Sequence, residues 1–267
     1  MNKVVFITGT TSGIGKTIAL YLHQCGFKVI GTYRSKPVEH CPFQQIQLDV
    51  TDNASIKKGI EHILKTEKRI DILINNAGVG IFGTTEEISI EEVKQVFDTN
   101  VFGTWTLIQS ILPIMRRQNS GKIINVSSIA GLIGMPFQSN YSASKHALEG
   151  LTASLRLELL SSNIEVTNIC PGDFKTNFTI NRPFVKSNIE NYQTNLSEAK
   201  TKVETDERNG SDPEMIAKLV ETLINQKKKL KARYLVGKPM EKFLIQLSRF
   251  LPATLIEKMT ADHFNIK

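Results

Sequence analysis

The chain has 267 residues, of which 40% are hydrophobic and 22% are charged, an ordinary composition for a soluble globular protein. Its three cysteines share no metal-ligand spacing, and their odd number argues against a disulfide framework, so the sequence predicts no metal site and favours a reducing, cytoplasmic location. The net charge of +7 includes a dense basic run at residues 227–233 without interleaved aromatic side chains. A solvated helix end is therefore favoured over a nucleic-acid-binding surface.

Short β-branched segments alternate with helical patterns along most of the chain. The predicted strands cover residues 3–8, 28–32, 43–48, 70–75, 122–127, 165–169 and 233–236. The predicted helices cover residues 13–25, 53–68, 89–117, 140–161 and 212–226, and residues 240–251 form a further amphipathic stretch. Regular alternation of strand and helix requires right-handed crossovers and hence a parallel sheet. We therefore predict an α/β fold, a Rossmann-type doubly wound parallel sheet of about seven strands with helices on both faces.

The C-terminal third lacks such regularity. We predict a single domain over residues 1–267, in which residues 1–173 form the cofactor-binding and catalytic core. Residues 174–211 are polar, show no clean period and are interpreted as a substrate lid, and residues 212–267 as a segment that serves substrate binding and assembly. The basic amphipathic stretch 238–258 fits peripheral contact with a membrane surface, but is more typical of a core or partner-facing helix. No apolar run approaches the ~20 residues of a transmembrane helix, and the N-terminal apolar run is too short for an export signal.

A glycine loop separates the first predicted strand from the first predicted helix. Residues 8–15 read TGTTSGIG, with the spacing Gly-x-x-x-Gly-x-Gly after a threonine. Glycines permit a tight turn and a close approach of the backbone to a pyrophosphate, and a helix start offers unpaired N–H groups. Such loops are often only turns, but this one lies where a dinucleotide site requires it.

Further motifs follow the glycine loop in order. They are Leu48-Asp49-Val50, Asn75-Asn76-Ala77-Gly78, Asn100, Ser128, Tyr141-Ser142-Ala143-Ser144-Lys145, and Pro171-Gly172 with Thr176. In these residues, and over roughly positions 3 to 176, the chain resembles the classical short-chain dehydrogenases/reductases. The resemblance implies an oxidoreductase that interconverts a carbonyl and a secondary alcohol with a nicotinamide cofactor. It also implies a homodimer or homotetramer built on the two long helices.

The resemblance implies four catalytic residues: Asn100, Ser128, Tyr141 and Lys145. Tyr141 would be the general acid/base, Ser128 would polarise the carbonyl, and Asn100 would hold a water that links Lys145 to solvent. Independently, Tyr141 and Lys145 are four residues apart and share a helix face, so the ammonium group should lower the tyrosine pKa from about 10. Without the other motifs, Tyr141 and Lys145 would be interpreted as ordinary surface residues, and Asn100 as a buried amide that bridges backbone groups.

The predicted cofactor site combines these motifs with the end of the second strand. Its residues are Gly9, Thr11, Ser12, Gly13, Ile14, Gly15, Arg34, Asp49, Val50, Asn76, Ala77, Gly78, Tyr141, Lys145, Pro171, Gly172 and Thr176. Residues 27–38 contain no acidic side chain that would bind the ribose 2′-hydroxyl of NAD and repel a 2′-phosphate. Arg34 instead offers a planar guanidinium suited to phosphate, so NADP(H) is predicted, with NAD(H) as the alternative. A solvated loop arginine is the other interpretation of Arg34.

The substrate is less well specified. Apolar side chains scattered through residues 174–211 favour a small lipophilic substrate that is steroid-, retinoid- or ketone-like. A catalytically silent NADP(H)-binding regulatory or interaction protein is the alternative, although such a protein would typically lack the tyrosine, lysine or serine retained here. A sugar-nucleotide epimerase or dehydratase would need a longer C-terminal domain. No nucleic-acid partner and no transmembrane segment is predicted.

Overall fold

The computed structural model describes residues 2–266 and contains one sheet of seven parallel strands in the order β3-β2-β1-β4-β5-β6-β7. The strands are β1 (Val4–Ile7), β2 (Lys28–Tyr33), β3 (Gln44–Gln47), β4 (Ile72–Asn75), β5 (Gly121–Val126), β6 (Ile164–Pro171) and β7 (Arg233–Val236). The strand order changes direction between β1 and β4, and this opens a crevice at the carboxyl ends of these strands. The predicted doubly wound α/β fold is confirmed.

Helices cover both faces of the sheet. Within residues 2–266 they are α1 (Gly13–Gln24), α2 (Asn53–Glu67), α3 (Ile90–Phe97), α4 (Thr104–Arg117), α5 (Ser139–Glu158), α6 (Glu190–Arg208), α7 (Glu214–Asn225), α8 (Pro239–Leu247) and α9 (Ala253–His263). Helices α2, α4 and α5 bury their apolar stripes in one core cluster, and α1 and α7 bury theirs in a second. This arrangement places one hydrophobic layer on each face of the sheet.

Helix α2 shows how the local sequence produces these elements. Ile56, Ile60 and Ile63 recur at helical spacing and are buried against the sheet. The Asp52 side chain accepts a hydrogen bond of 2.8 Å from a backbone N–H of the first turn, so it caps the helix start. The helix ends at Glu67, and the next residue, Lys68, has a φ of 65° in the left-handed region.

The helix predicted over residues 89–117 is interrupted. Helix α3 ends at Phe97, a π-helical segment follows at Asp98–Gly103, and α4 continues from there. Gly103 is required at this point, since a Cβ there would lie 2.6 Å from the carbonyl oxygen of Val50. The wider π turn places Asn100 in the interior, where it is 1% exposed.

The segment predicted to be irregular, residues 174–211, contains helix α6. Its buried face is small, with Leu196 and Ala199 packed against Phe82 and Phe264. So few apolar positions over nineteen residues produce no recognisable helical period, which is why the sequence did not indicate this helix. None of the helices within residues 2–266 has both the length and the apolar character needed to cross a membrane.

Candidate active site

The carboxyl ends of the strands open on a cleft of about 1240 Å³. The glycine loop, the ends of β2, β4 and β5, residues 171–183 and the helices α8 and α9 all contribute to its walls. Every site residue predicted from the sequence lies on this wall except Asn100. The fold therefore brings together motifs that are far apart in the chain.

The glycine loop forms a cradle at the start of α1. Gly9 has a φ of +69°, and a Cβ on Gly15 would lie 2.3 Å from the Gly9 carbonyl oxygen, so side chains here would fill the cradle. The Asn76 amide donates hydrogen bonds of 3.0 Å to the carbonyls of Thr8 and Gly9 and holds the loop in place. No side chain caps the start of α1, which leaves its first N–H groups for a ligand. These features fit a dinucleotide pyrophosphate.

The predicted adenosine end of the site lies beyond β2. The Arg34 guanidinium is exposed and makes no hydrogen bond or ion pair with residues 2–266, so it is free for a ligand. One oxygen of Asp49 accepts hydrogen bonds from the N–H and hydroxyl of Thr51, at 2.9 and 2.8 Å, which orients the carboxylate. Val50 contacts Gly103 of the π-helical segment.

Tyr141 lies in the first turns of α5 with cations near its ring. The Lys145 ammonium is 5.5 Å and the Arg182 guanidinium carbon is 5.3 Å from the ring centroid. Burial raises the pKa of the Tyr141 phenol above its ordinary value, while the charge of Arg182 and a hydrogen bond with Ser128 lower it. The negative charge of Glu207 adds a smaller upward shift to the pKa.

Lys145 is almost fully buried. It is 4% exposed, and its ammonium donates a hydrogen bond of 2.9 Å to the Val126 carbonyl at the end of β5. Burial lowers the pKa of Lys145 to about 8, although Cys170 and Glu149 oppose this shift. Glu149 is itself buried and forms an ion pair of 3.2 Å with Arg233.

The expectation that Lys145 lowers the pKa of Tyr141 needs a correction. In this structure the pKa of Tyr141 is raised, because the loss of solvation outweighs the favourable charges. The cation that does lower it is Arg182. The ammonium of Lys145 is directed to the backbone of β5 by its hydrogen bond to Val126.

Asn100 lies outside the cleft wall and links two segments that form it. Its amide nitrogen donates to the Val79 carbonyl at 2.8 Å and to the Ser144 hydroxyl at 2.9 Å, and its oxygen accepts from the Val79 N–H at 2.9 Å. Both donors of the amide are therefore used, and one acceptor position on the oxygen is left. A Cβ on Gly78 would lie 3.4 Å from this oxygen and 3.6 Å from the Lys145 ammonium, so both groups lie close to Gly78.

Sequence reasoning missed several residues of the cleft wall that lie in or contact the irregular segment. Gln138, Arg182 and Glu207 all line the cleft. Glu207 of α6 accepts hydrogen bonds from the Thr176 hydroxyl and from the backbone N–H groups of Phe178 and Thr179. No periodic pattern or motif marked these residues, because their proximity to Tyr141 arises only when the segment folds back over the cleft.

A doubly wound sheet with a glycine cradle at its switch point and a tyrosine–lysine pair in the adjoining cleft defines a nicotinamide-dependent oxidoreductase. The family model described as short chain dehydrogenase matches residues 3–183, and the chain belongs to the short-chain dehydrogenase/reductase family. It is therefore an enzyme that acts on CH–OH and C=O groups with NAD(P).

Relatives and solved structures agree with this assignment. The chain is 39% identical to the 3-ketodihydrosphingosine reductase of Bacteroides thetaiotaomicron over 228 residues, which cover 84% of each protein. A short-chain dehydrogenase from Streptomyces avermitilis is similar with a TM-score of 0.82 and 30% identity, covering 98% of this chain and 97% of that one. A family member from Burkholderia phymatum in complex with NAD has a TM-score of 0.80 and 25% identity, covering 93% of each chain.

The lowered pKa of Lys145 predicts a pH dependence of stability. The folded protein releases this proton near pH 8, whereas the unfolded chain retains it up to about 10.5. Between these values the unfolded chain binds more protons, so the free energy of unfolding rises with pH. Relative to Lys145→Met, the wild type should gain about 1.4 kcal/mol for each unit of pKa difference across this window.

Urea unfolding of the cofactor-free protein at both ends of this pH window measures the effect. Lys58→Met, which removes an exposed lysine of α2, is the matched control. A stability difference between the wild type and Lys145→Met that stays constant across the window would contradict a lysine with a lowered pKa.

Proposed function

We propose that this enzyme interconverts a carbonyl and a secondary alcohol on a small lipophilic substrate, with NADP(H) as its cofactor and Tyr141 as general acid/base. The observation that supports this most directly is the shared cleft wall, on which Ser128, Tyr141 and Lys145 lie beside the glycine cradle. We further propose that residues 174–211 act as a substrate lid. Phe178 supports this, since its ring lies 5.7 Å from the ring of Tyr141.

In the proposed reaction each side chain has a separate task. A nicotinamide held in the cleft would supply the hydride for the carbonyl carbon, or accept one in the reverse direction. Tyr141 donates the proton to the carbonyl oxygen, and the Ser128 hydroxyl donates a hydrogen bond to the same oxygen. Lys145, with a pKa of about 8, can pass a proton to the tyrosine near neutral pH. Asn100 holds this region together and keeps one oxygen lone pair for a relay water.

The cofactor would be held along the length of the cleft. The backbone of the glycine loop, including Gly9 and Gly15, would bind the pyrophosphate. Asp49 would hold the adenine amine, and Lys145 the nicotinamide ribose hydroxyls. Thr176, on the nicotinamide side, is kept in place by its hydrogen bond to Glu207.

The apolar part of the cleft wall supports a lipophilic substrate. Its side chains come from three parts of the fold: Met135, Val203, Leu244, Ile256, Met259 and Phe264. Pockets that bind apolar ligands combine such walls with a few polar groups at one end, and here Ser128 and Tyr141 occupy that end. The resemblance to a protein named 3-ketodihydrosphingosine reductase is in keeping with a keto substrate.

Removal of the phenol hydroxyl tests the proposed proton donor. Tyr141→Phe should lower kcat at least about 100-fold, because general acid catalysis contributes at least this factor. NADPH binding, measured by fluorescence titration, should persist. Tyr21→Phe, which changes a tyrosine of α1 outside the cleft wall, is the matched control and should retain turnover. Unchanged turnover in Tyr141→Phe would rule out Tyr141 as the donor.

Arg34 provides the test of cofactor preference. The wild type should bind NADPH more tightly than NADH, and Arg34→Ser should reduce the ratio of the two dissociation constants about tenfold or more, since a bidentate contact to phosphate is lost. Lys36→Ser should reduce it less, because an ammonium makes no paired contact. Isothermal titration with both cofactors measures the ratio. Equal affinity of the wild type for NADH and NADPH would contradict the proposal.

We also propose a homodimer or homotetramer that uses α4 and α5. Apolar side chains are exposed along these helices and the adjoining π-helical segment, with Phe102 of that segment at 58%, Trp105 of α4 at 53% and Leu157 of α5 at 69%. Exposed aromatic clusters of this kind are typical of interfaces. Trp105→Glu should dissociate the oligomer, whereas Trp105→Phe should preserve it. Size-exclusion chromatography with light scattering measures the mass, and a monomeric wild type would refute the proposed oligomer.

A further inference from the structure

Arg182 occupies an unusual position on the cleft wall. It belongs to the loop between β6 and α6, and its guanidinium lies close to two aromatic rings that also contact each other. The guanidinium carbon is 5.3 Å from the ring centroid of Tyr141 and 4.9 Å from that of Phe178. One terminal nitrogen donates a hydrogen bond to the side-chain oxygen of Gln138. A fixed positive charge therefore lies next to the proposed proton donor.

This charge has no anionic partner within residues 2–266. Arg182 forms no ion pair with any residue between 2 and 266, and its Nε is buried without a hydrogen-bond partner. Burial lowers the pKa of Arg182, and Glu207 is the only carboxylate within residues 2–266 whose charge raises it. Both Glu207 oxygens already accept hydrogen bonds, from the Thr176 hydroxyl and from the backbone N–H groups of Phe178 and Thr179. A buried N–H group without a partner, as at Nε of Arg182, raises the free energy of the folded protein.

The surroundings of Arg182 are shaped to hold it there. Gln138 is buried and follows Phe137, whose φ of 57° lies in the left-handed region that non-glycine residues seldom adopt. Gly80 leaves room for the stack, since a Cβ there would lie 3.0 Å from the Tyr141 ring and 3.5 Å from Nε of Arg182. The hydrogen bond to Gln138 and the space left by Gly80 thus fix the position of the guanidinium.

We propose that Arg182 is the binding site for a carboxylate of the substrate, so that the enzyme acts on lipophilic oxo acids and the corresponding hydroxy acids. The planar guanidinium matches a carboxylate, and Nη2, which makes no hydrogen bond with residues 2–266, is the donor open to it. Bound there, the carboxylate lies near the carbonyl that Tyr141 protonates, and the alkyl chain extends along Met259 and Phe264. This inference rests on the proposed function and specifies its substrate class.

The reaction leaves the carboxylate unchanged. The carbonyl carbon gains a hydride from the reduced nicotinamide, and the carbonyl oxygen gains a proton from Tyr141. The products are a hydroxy acid and the oxidised cofactor, and the proton on Tyr141 is replaced from solvent.

The kinetic test compares an oxo acid with its methyl ester, which has the same carbonyl and chain but no charge. The wild type should prefer the acid in kcat/KM by about tenfold or more, the effect of a charge-assisted hydrogen bond. In Arg182→Gln this preference should vanish. Lys186→Gln removes a positive charge from the same loop outside the cleft wall and should keep the preference. An equal loss for both substrates, with a displaced pH profile, would show that Arg182 acts through Tyr141 and would overturn the proposal.

A binding measurement separates this proposal from the proposed function. Decanoate carries a carboxylate and no carbonyl to reduce, and in the presence of NADPH it should raise the melting temperature of the wild type more than decanol does. Arg182→Gln should abolish the difference between the two ligands. If decanoate stabilises the protein but no ketone is reduced, the carboxylate site stands and the proposed function fails. If neutral ketones are reduced and decanoate has no effect, the carboxylate site is refuted.

Discussion

The active-site cleft depends on one buried hydrogen bond, from the Lys145 ammonium to the Val126 carbonyl. It ties the first turns of α5 to the end of β5, the strand that pairs with β4 in the sheet. Lys145 is only 4% exposed, so its charged form loses the solvation that it has in water. This loss lowers its pKa to about 8. The same helix turn carries Tyr141, so the position of the phenol follows from the position of the lysine.

Burial acts on both members of this pair in opposite senses. It favours the neutral phenol of Tyr141 and the neutral amine of Lys145. A proton is therefore easier to keep on the tyrosine and easier to remove from the lysine than in water, so their pKa values move apart. Once Tyr141 has given up its proton, transfer of a proton from Lys145 to the phenolate is therefore favourable in free energy. Arg182 adds a positive charge that remains when the lysine is neutral.

Much of the remaining structure maintains this arrangement. Glu207 anchors the loop that carries Phe178 over the tyrosine ring, and Asn100 joins the strand end after β4 to α5 through Val79 and Ser144. These side chains hold the geometry of the reacting centre, and the charge of Glu207 also adds a small upward shift to the pKa of Tyr141. A small displacement of such supports would move the proposed proton donor, to which catalysis is sensitive.

The order of the elements could be predicted from the sequence because the hydrophobic periods of strands and helices are local properties. The glycine loop and the Tyr141–Lys145 spacing are local too, so their chemistry could be interpreted before the fold was known. The position of Arg182 against Tyr141 could not, since forty-one residues separate them and only the folding of the lid segment brings them together. The π turn around Asn100 and the raised pKa of Tyr141 likewise depend on packing and burial. Solvation and contacts between distant segments exist only in the folded chain, and the tertiary structure alone decided them.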